Sequence, residues 1–159
     1  MKKTICGALI CALLLTVCGG CGQMGPEKEP SFPAALTVQT LLDSGAFSEP
    51  LEELDPMLLF PLSGEEADYE GSVLYYSTGA TAETAAVISV RDAERVYEVE
   101  TALRNWLEYQ IEAERDYRPA EVSKLENAVI EIRGNSVLLV VAADWGKAVD
   151  AVEIVVTEK

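Results

Sequence analysis

Ala128-Val129-Ile130-Glu131-Ile132-Arg133, then Gly134-Asn135, then Ser136-Val137-Leu138-Leu139-Val140-Val141-Ala142 is the stretch on which the fold turns. Ile130 and Ile132 alternate with Glu131 and Arg133, the period-two pattern of a strand with one apolar and one polar face. Gly134-Asn135 reads as a two-residue hairpin turn, with the glycine supplying the positive φ that a type II′ turn requires. The return strand is apolar from Val137 to Ala142, which predicts a central position covered on both faces.

Upstream of this hairpin the period changes. Val96, Val99, Leu103, Trp106, Leu107 and Ile111 recur at three- and four-residue steps, one apolar stripe on a helix that Asp92 caps and that runs to about Tyr117. Glu100 with Arg104 and Glu114 with Arg118 add favourable pairs four residues apart. Pro119 ends the helix and opens a short one through Leu125. Before it, Ser72-Val73-Leu74-Tyr75-Tyr76-Ser77 and Ala85-Ala86-Val87-Ile88-Ser89-Val90 read as two strands of a hairpin, separated around Gly79. Residues 34–42 predict a short helix stopped near Ser44-Gly45, and residues 49–62 a second helical piece around Pro56. After the second hairpin, Asp144-Trp145-Gly146 makes a corner and residues 147–156 predict a last helix, with Ile154-Val155-Val156 equally open to a strand. The expected fold class is therefore α+β: an antiparallel sheet of about four strands in the order β-β-α-β-β-α, one long helix packed on it, and two short helices ahead.

The first residues follow a different logic. Lys2 and Lys3, an apolar run over 5–17, and Cys18-Gly19-Gly20-Cys21 form the three parts of a signal peptide. The run is short of the roughly 20 apolar residues of a membrane-spanning helix. Gly19-Gly20-Cys21 fits the last three places of a lipoprotein cleavage site, with Cys18 where an aliphatic residue is usual, and Cys21 is the expected lipid acceptor. Cys18 is the alternative acceptor, and ordinary secretion the third course. The expected organisation is a signal peptide over 1–20, a Gly, Pro, Glu and Lys tether over 21–33, and a single domain over 34–159, held by lipid at the extracytoplasmic face of the membrane.

Without residues 1–20 the chain keeps all 27 acidic residues and 10 of its 12 basic ones, a formal charge of −17. Such a field repels nucleic acid, teichoic-acid polymers and anionic lipid surfaces, and leaves basic partners and cations open. All four cysteines lie at or before Cys21 and there is no histidine, so the domain has no disulfide, no imidazole base and no thiolate or imidazole metal ligand.

Several motifs in sequence order resemble the domain-of-unknown-function 4358 family of Gram-positive lipoproteins, from Leu36 to about Val155. They are Leu41-Leu42-Asp43-Ser44-Gly45-Ala46-Phe47; Leu51-Glu52-Glu53-Leu54-Asp55; Tyr75-Tyr76-Ser77-Thr78-Gly79-Ala80 with Ala82-Glu83; residues 102–110; Asp116-Tyr117-Arg118-Pro119; and Gly134-Asn135-Ser136-Val137-Leu138-Leu139. The resemblance implies a small lipid-anchored α/β domain and no established activity, so it brings no catalytic residues with it.

Candidate chemistry is sparse. Tyr75, Tyr76, Trp106, Tyr109, Tyr117 and Trp145 suit a ligand groove, since amphipathic rings favour binding surfaces. Trp106 belongs equally to the helix stripe, and Tyr76 and Trp145 remain as candidate ligand-binding residues. Glu52-Glu53 and Glu65-Glu66 are paired carboxylates of the kind that hydrolyse glycans, but in so acidic a chain they read first as solvated charge. Ser123-Lys124 are adjacent rather than one helical turn apart, and no nucleophile elbow, phosphate-cradling glycine loop or calcium loop is present. No catalytic residue, metal ligand, nucleotide site or cofactor is therefore expected. The function this leaves is a membrane-anchored binding or accessory module with a protein partner in the cell envelope. A structural envelope protein, or an enzyme acting on envelope glycans through paired carboxylates, are the alternatives.

Overall fold

A computed structural model describes residues 29–157. The signal peptide and Cys21 lie outside these residues. Within them, α1 (Ala34–Asp43), β1 (Glu52–Glu53) and α2 (Pro56–Leu59) lead into a 3-10 turn at Glu66–Tyr69 and the strands β2 (Val73–Tyr76) and β3 (Thr84–Ser89). A 3-10 turn at Ala93–Arg95 then enters α3 (Val96–Tyr117), followed by α4 (Pro119–Glu126), β4 (Val129–Arg133), β5 (Ser136–Val141) and α5 (Trp145–Thr157).

The sheet has five antiparallel strands in the order β1-β2-β3-β5-β4. The added strand is Glu52–Glu53, which sequence placed in a helical piece. Asp55 precedes Pro56 and is held extended (φ −66°, ψ 124°), as the proline ring requires of its predecessor. The chain therefore arrives extended and pairs Glu53 with Tyr75 before Pro56 opens α2 under an Asp55 cap (Met57 N–H to Oδ1, 2.9 Å). The last segment is helical through Thr157, which settles Ile154-Val155-Val156 against the strand alternative.

Both hairpins form. Arg133 pairs with Ser136 across Gly134-Asn135, with Gly134 at φ +54°. β5 lies between β3 and β4 and is buried along its whole length. Val137, Leu139 and Val141 point to one face with Ala86, Ile88 and Leu74, where the α3 stripe of Val99, Leu103 and Trp106 packs. Leu138 and Val140 point to the other with Ala85 and Val87, under α1 and α5 through Leu41, Ala148 and Val152. The sheet is thus covered by helices on both faces, each closing its own apolar layer.

The packed chain begins ahead of Ala34. Phe32, expected in the tether, is 4% exposed and part of the α1/α5 layer. Its N–H donates to Ser136 Oγ (2.9 Å), and the Arg133 guanidinium lies 5.7 Å from its ring centre. A glycine is required beneath: a Cβ on Gly134 would lie 2.5 Å from Ser31 Oγ and 2.8 Å from Glu29 O.

Candidate functional site

Two places gather polar groups that the sheet and helices do not need for their own ladders. The first is the connection between β2 and β3. Glu83 ends this loop fully buried. Its carboxylate accepts from Ser48 N–H (2.9 Å), Ser48 Oγ (2.6 Å) and Lys124 Nζ (2.9 Å). Lys124 also meets Glu121 Oε1 (3.1 Å), while Glu121 Oε2 accepts from Ala82 N–H (2.9 Å). Burial pulls the Lys124 ammonium down, but the hydrogen bonds to Glu83 and Glu121 outweigh it and hold the group above its ordinary value.

On the loop itself, Glu49 accepts from the Ser77 hydroxyl and from Thr81 Oγ1 (3.0 Å), and these bonds keep its carboxyl below the usual range. Arg118 Nη1 donates to Gly79 O (2.9 Å) while its Nε holds Glu114 (2.6 Å), and that guanidinium lowers Glu114. Loop 77–83 is clasped from α3, α4 and the connection between α1 and β1, which carries Ser48 and Glu49. The donors and acceptors of Glu83 are already matched inside the protein, so the clasp fixes geometry and leaves no charge aimed at an outside molecule.

The second place is a groove of about 870 Å³ beside the outer edge of β2. β1 covers only Tyr75 and Tyr76. Leu54 N–H donates once more, to Leu74 O (3.0 Å), and the chain then leaves the sheet at Pro56. The stretch Gly71-Ser72-Val73 has no strand on that side. Leu54, Met57 and Leu74 give the groove apolar lining, and Glu53, Asp55, Glu66 and Glu70 give it four carboxylates with no basic residue among the lining. Glu70 has one loose partner outside, Arg91 at 3.9 Å.

The far wall of the groove is anchored. Arg95 at the entry to α3 reaches Asp68 (3.1 Å), Glu98 (3.2 Å) and the Tyr69 hydroxyl (3.0 Å). The Glu65 N–H, and then the Arg95 guanidinium, keep the Asp68 carboxyl below its usual value against the pull of burial. Glu65 and Asp68 close a capping box on the 3-10 turn, so Glu65 serves the turn itself.

The aromatic residues scatter. Trp106 is in the core, edge-on to Phe60 (5.1 Å) and to Tyr76 (6.4 Å). Tyr76 is half-buried there, and desolvation raises its phenol. Trp145 is 55% exposed at the start of α5, on the opposite face of the sheet from Tyr76. Tyr109 and Tyr117 are exposed along α3. Tyr76 and Trp145 therefore do not share a site. Glu52 and Glu53 sit side by side on the edge strand with their side chains on opposite faces. Among the described residues no group of three or more carboxylates, cysteines or histidines is placed to hold a metal ion, and no helix is long and apolar enough to cross a membrane.

The model of the family described as a domain of unknown function (DUF4358) matches residues 62–142, just over half of the chain. The chain belongs to this family. The matched span of the DUF4358 domain runs from the 3-10 wall of the groove through the clasped loop, α3 and the second hairpin. The motifs at 41–47 and 51–55, which supply the C-terminal end of α1 and the β1 edge, precede it. No curated protein and no solved structure matches the chain.

Neither polar place was visible in the residue pattern. Glu121 and Lys124 stand three apart on a helix, which sequence can read as a pair. That Glu83, 41 residues from Lys124, joins them depends on how α4 lies over the sheet. The groove follows from Asp55-Pro56 shortening β1, and that proline was the available signal.

Proposed function

We propose that this DUF4358 chain is a non-enzymatic binding or accessory module of the cell envelope, held at the extracytoplasmic face by lipid on Cys21. The observation that carries the binding reading is the groove beside β2: a concave place with apolar lining, polar rim and anchored walls is where a ligand is expected on an uncharacterised domain. The clasped loop supports it as scaffold, since it stiffens the far end of the same β2–β3 hairpin. The lipid reading rests on Gly19-Gly20-Cys21 and the short apolar run before it.

Photo-crosslinking in intact cells tests this. A photoreactive residue placed in turn at Glu66, Tyr97 and Trp145, on three different parts of the surface, is expected to capture a discrete envelope protein from at least one position. The same capture is lost from Cys21→Ala protein released from the membrane. Absence of any adduct at all three positions would leave the structural-envelope alternative in its place.

A further inference from the structure

A second trough runs between the chain that leaves α2 and the outer side of α3. Phe60 is held extended ahead of Pro61 (φ −99°, ψ 145°), the conformation favoured before proline, and residues 59–63 form one wall beside the helix. The far end of that wall is tied down, because Ser63 O accepts from the Tyr69 hydroxyl and from Arg95. Two cavities, of about 370 and about 220 Å³, meet at Pro61 and Asn105, which line both. The floor is the edge-on pair Phe60 and Trp106, 3% and 5% exposed. Thr101, Asn105 and Tyr109, spaced at four-residue steps on α3 and all exposed, make the opposite wall.

What this trough offers is hydrogen-bond donors without charge. A buried tryptophan ordinarily gives its N–H to a partner. Trp106 Nε1 has no acceptor among the described residues, yet it is not shut off from solvent, so its N–H is left for something in the trough. An indole nitrogen can only donate. The exposed Asn105 amide and Tyr109 hydroxyl are likewise unpaired among the described residues. Glu98 is the one charged residue of the lining, and the Ser63 hydroxyl and Arg95 Nε (3.2 Å) already occupy it. In a chain with 27 acidic residues, so neutral a strip suits a neutral ligand richer in acceptors than in donors. A polyproline II segment is such a ligand: its carbonyls are unpaired and each proline lacks an N–H. A glycan brings a donor with every hydroxyl and stacks on open ring faces, and the Trp106 ring is buried edge-on to Phe60. We propose that the trough takes a short proline-rich segment of a partner protein in the polyproline II conformation. Its rings lie against Leu59, Pro61 and Tyr109, and its carbonyls accept from Trp106 Nε1, Asn105 and Tyr109. Aromatic-lined grooves hold such segments at low ordering cost, because the conformation is already formed. Thr101 and Tyr109 stand roughly 12 Å apart along the helix, a span of about four residues at about 3.1 Å each. This site rests on the binding-module reading above and gives its partner a class.

The test follows the indole proton itself. The full chain in detergent is titrated with a short peptide of proline interrupted by valine, and with two controls: a glycine-serine peptide of equal length and an oligosaccharide of N-acetylglucosamine. The indole N–H signals are read by nitrogen-15 NMR, and Trp145→Phe tells the Trp106 signal from that of Trp145. The proline peptide is expected to shift the Trp106 signal saturably, and the controls are expected to leave it in place. Asn105→Ala with Tyr109→Ala is expected to weaken binding on the order of tenfold or more. Both side chains are exposed, and an unchanged thermal midpoint shows that the variant is folded. A Trp106 signal unmoved by bound peptide, or binding indifferent to the double substitution, overturns the trough as its place. Equal binding of the glycine-serine peptide overturns polyproline II recognition. A shift produced by the oligosaccharide and not by the peptide overturns the choice of ligand. If no probe binds while an in-cell adduct persists, the module reading stands and this inference falls. Peptide binding with no adduct in cells removes the module reading and leaves the chemistry of the trough.

Discussion

Lys124 and Glu83 carry the strongest local consequence. Glu83 has no exposure to water, and among the described residues Lys124 supplies its cation. Removing one partner of a buried pair leaves an uncompensated charge in a poorly solvated place, whereas removing both leaves none. Lys124→Met is therefore expected to cost about 3–5 kcal/mol, with Glu121 also losing its partner. Adding Glu83→Gln to it recovers part of that loss, because the amide oxygen can still accept from Ser48. Urea unfolding of the two single variants and the double checks this. Strict additivity would mean that the pair is not coupled as its 2.9 Å separation implies. The network also shows a buried carboxylate, Glu83, that adjacency in sequence did not single out. Glu52-Glu53 and Glu65-Glu66 were noticed because they are adjacent, but what places a carboxylate is its surroundings in space.

At the scale of elements, the second hairpin bears the most weight. Leu139 is fully buried and faces the α3 stripe, so Leu139→Ala removes methyl groups and leaves a cavity. The expected cost is about 2–5 kcal/mol. Glu131 lies on the outer strand, half-exposed and 3.3 Å from Arg133, an ion pair of the kind that contributes little. Glu131→Ala is expected to cost less than about 0.5 kcal/mol. Equal shifts of the urea midpoint for the two would contradict the register. Phe32 tests where the domain begins: Phe32→Ala is expected to cost about 3–5 kcal/mol if its ring is part of the core. A negligible change would return residues 29–33 to the tether.

These elements also mark what a reader of the sequence can and cannot see. The hairpin, the long helix and the Pro119 break rest on periodicity and local turn chemistry and are present in the structure. Asp92, read as the cap of the long helix, caps instead the 3-10 turn Ala93–Arg95 that leads into it (Glu94 N–H to Oδ1, 3.0 Å), and α3 itself starts at Val96. β1 was missed because two residues are too few to show a period; its cause, an extended residue enforced before Pro56, acts through pairing with Tyr75 and Tyr76. Phe32 was missed because a lone aromatic among Ser31 and Pro33 has no pattern to belong to. The groove is a further step removed, since it exists only where β1 stops short beside β2.

On the scale of the whole molecule, the charge bears on the proposed anchorage. At −17 the chain from Cys21 onward is repelled by anionic surfaces and acidic polymers, and the proposed lipid anchor and tether would hold it near a bilayer with its groove free to meet a partner. Everything proposed about a partner depends on that location. The most direct test is incorporation of radiolabelled palmitate in cells expressing the native chain or Cys21→Ala. The native protein is expected to be labelled and to sediment with membranes, and the Cys21→Ala protein to be unlabelled and released. Label retained by Cys21→Ala would move the acceptor to Cys18, and a native chain that takes up no lipid and leaves with the soluble fraction would contradict the anchored module altogether.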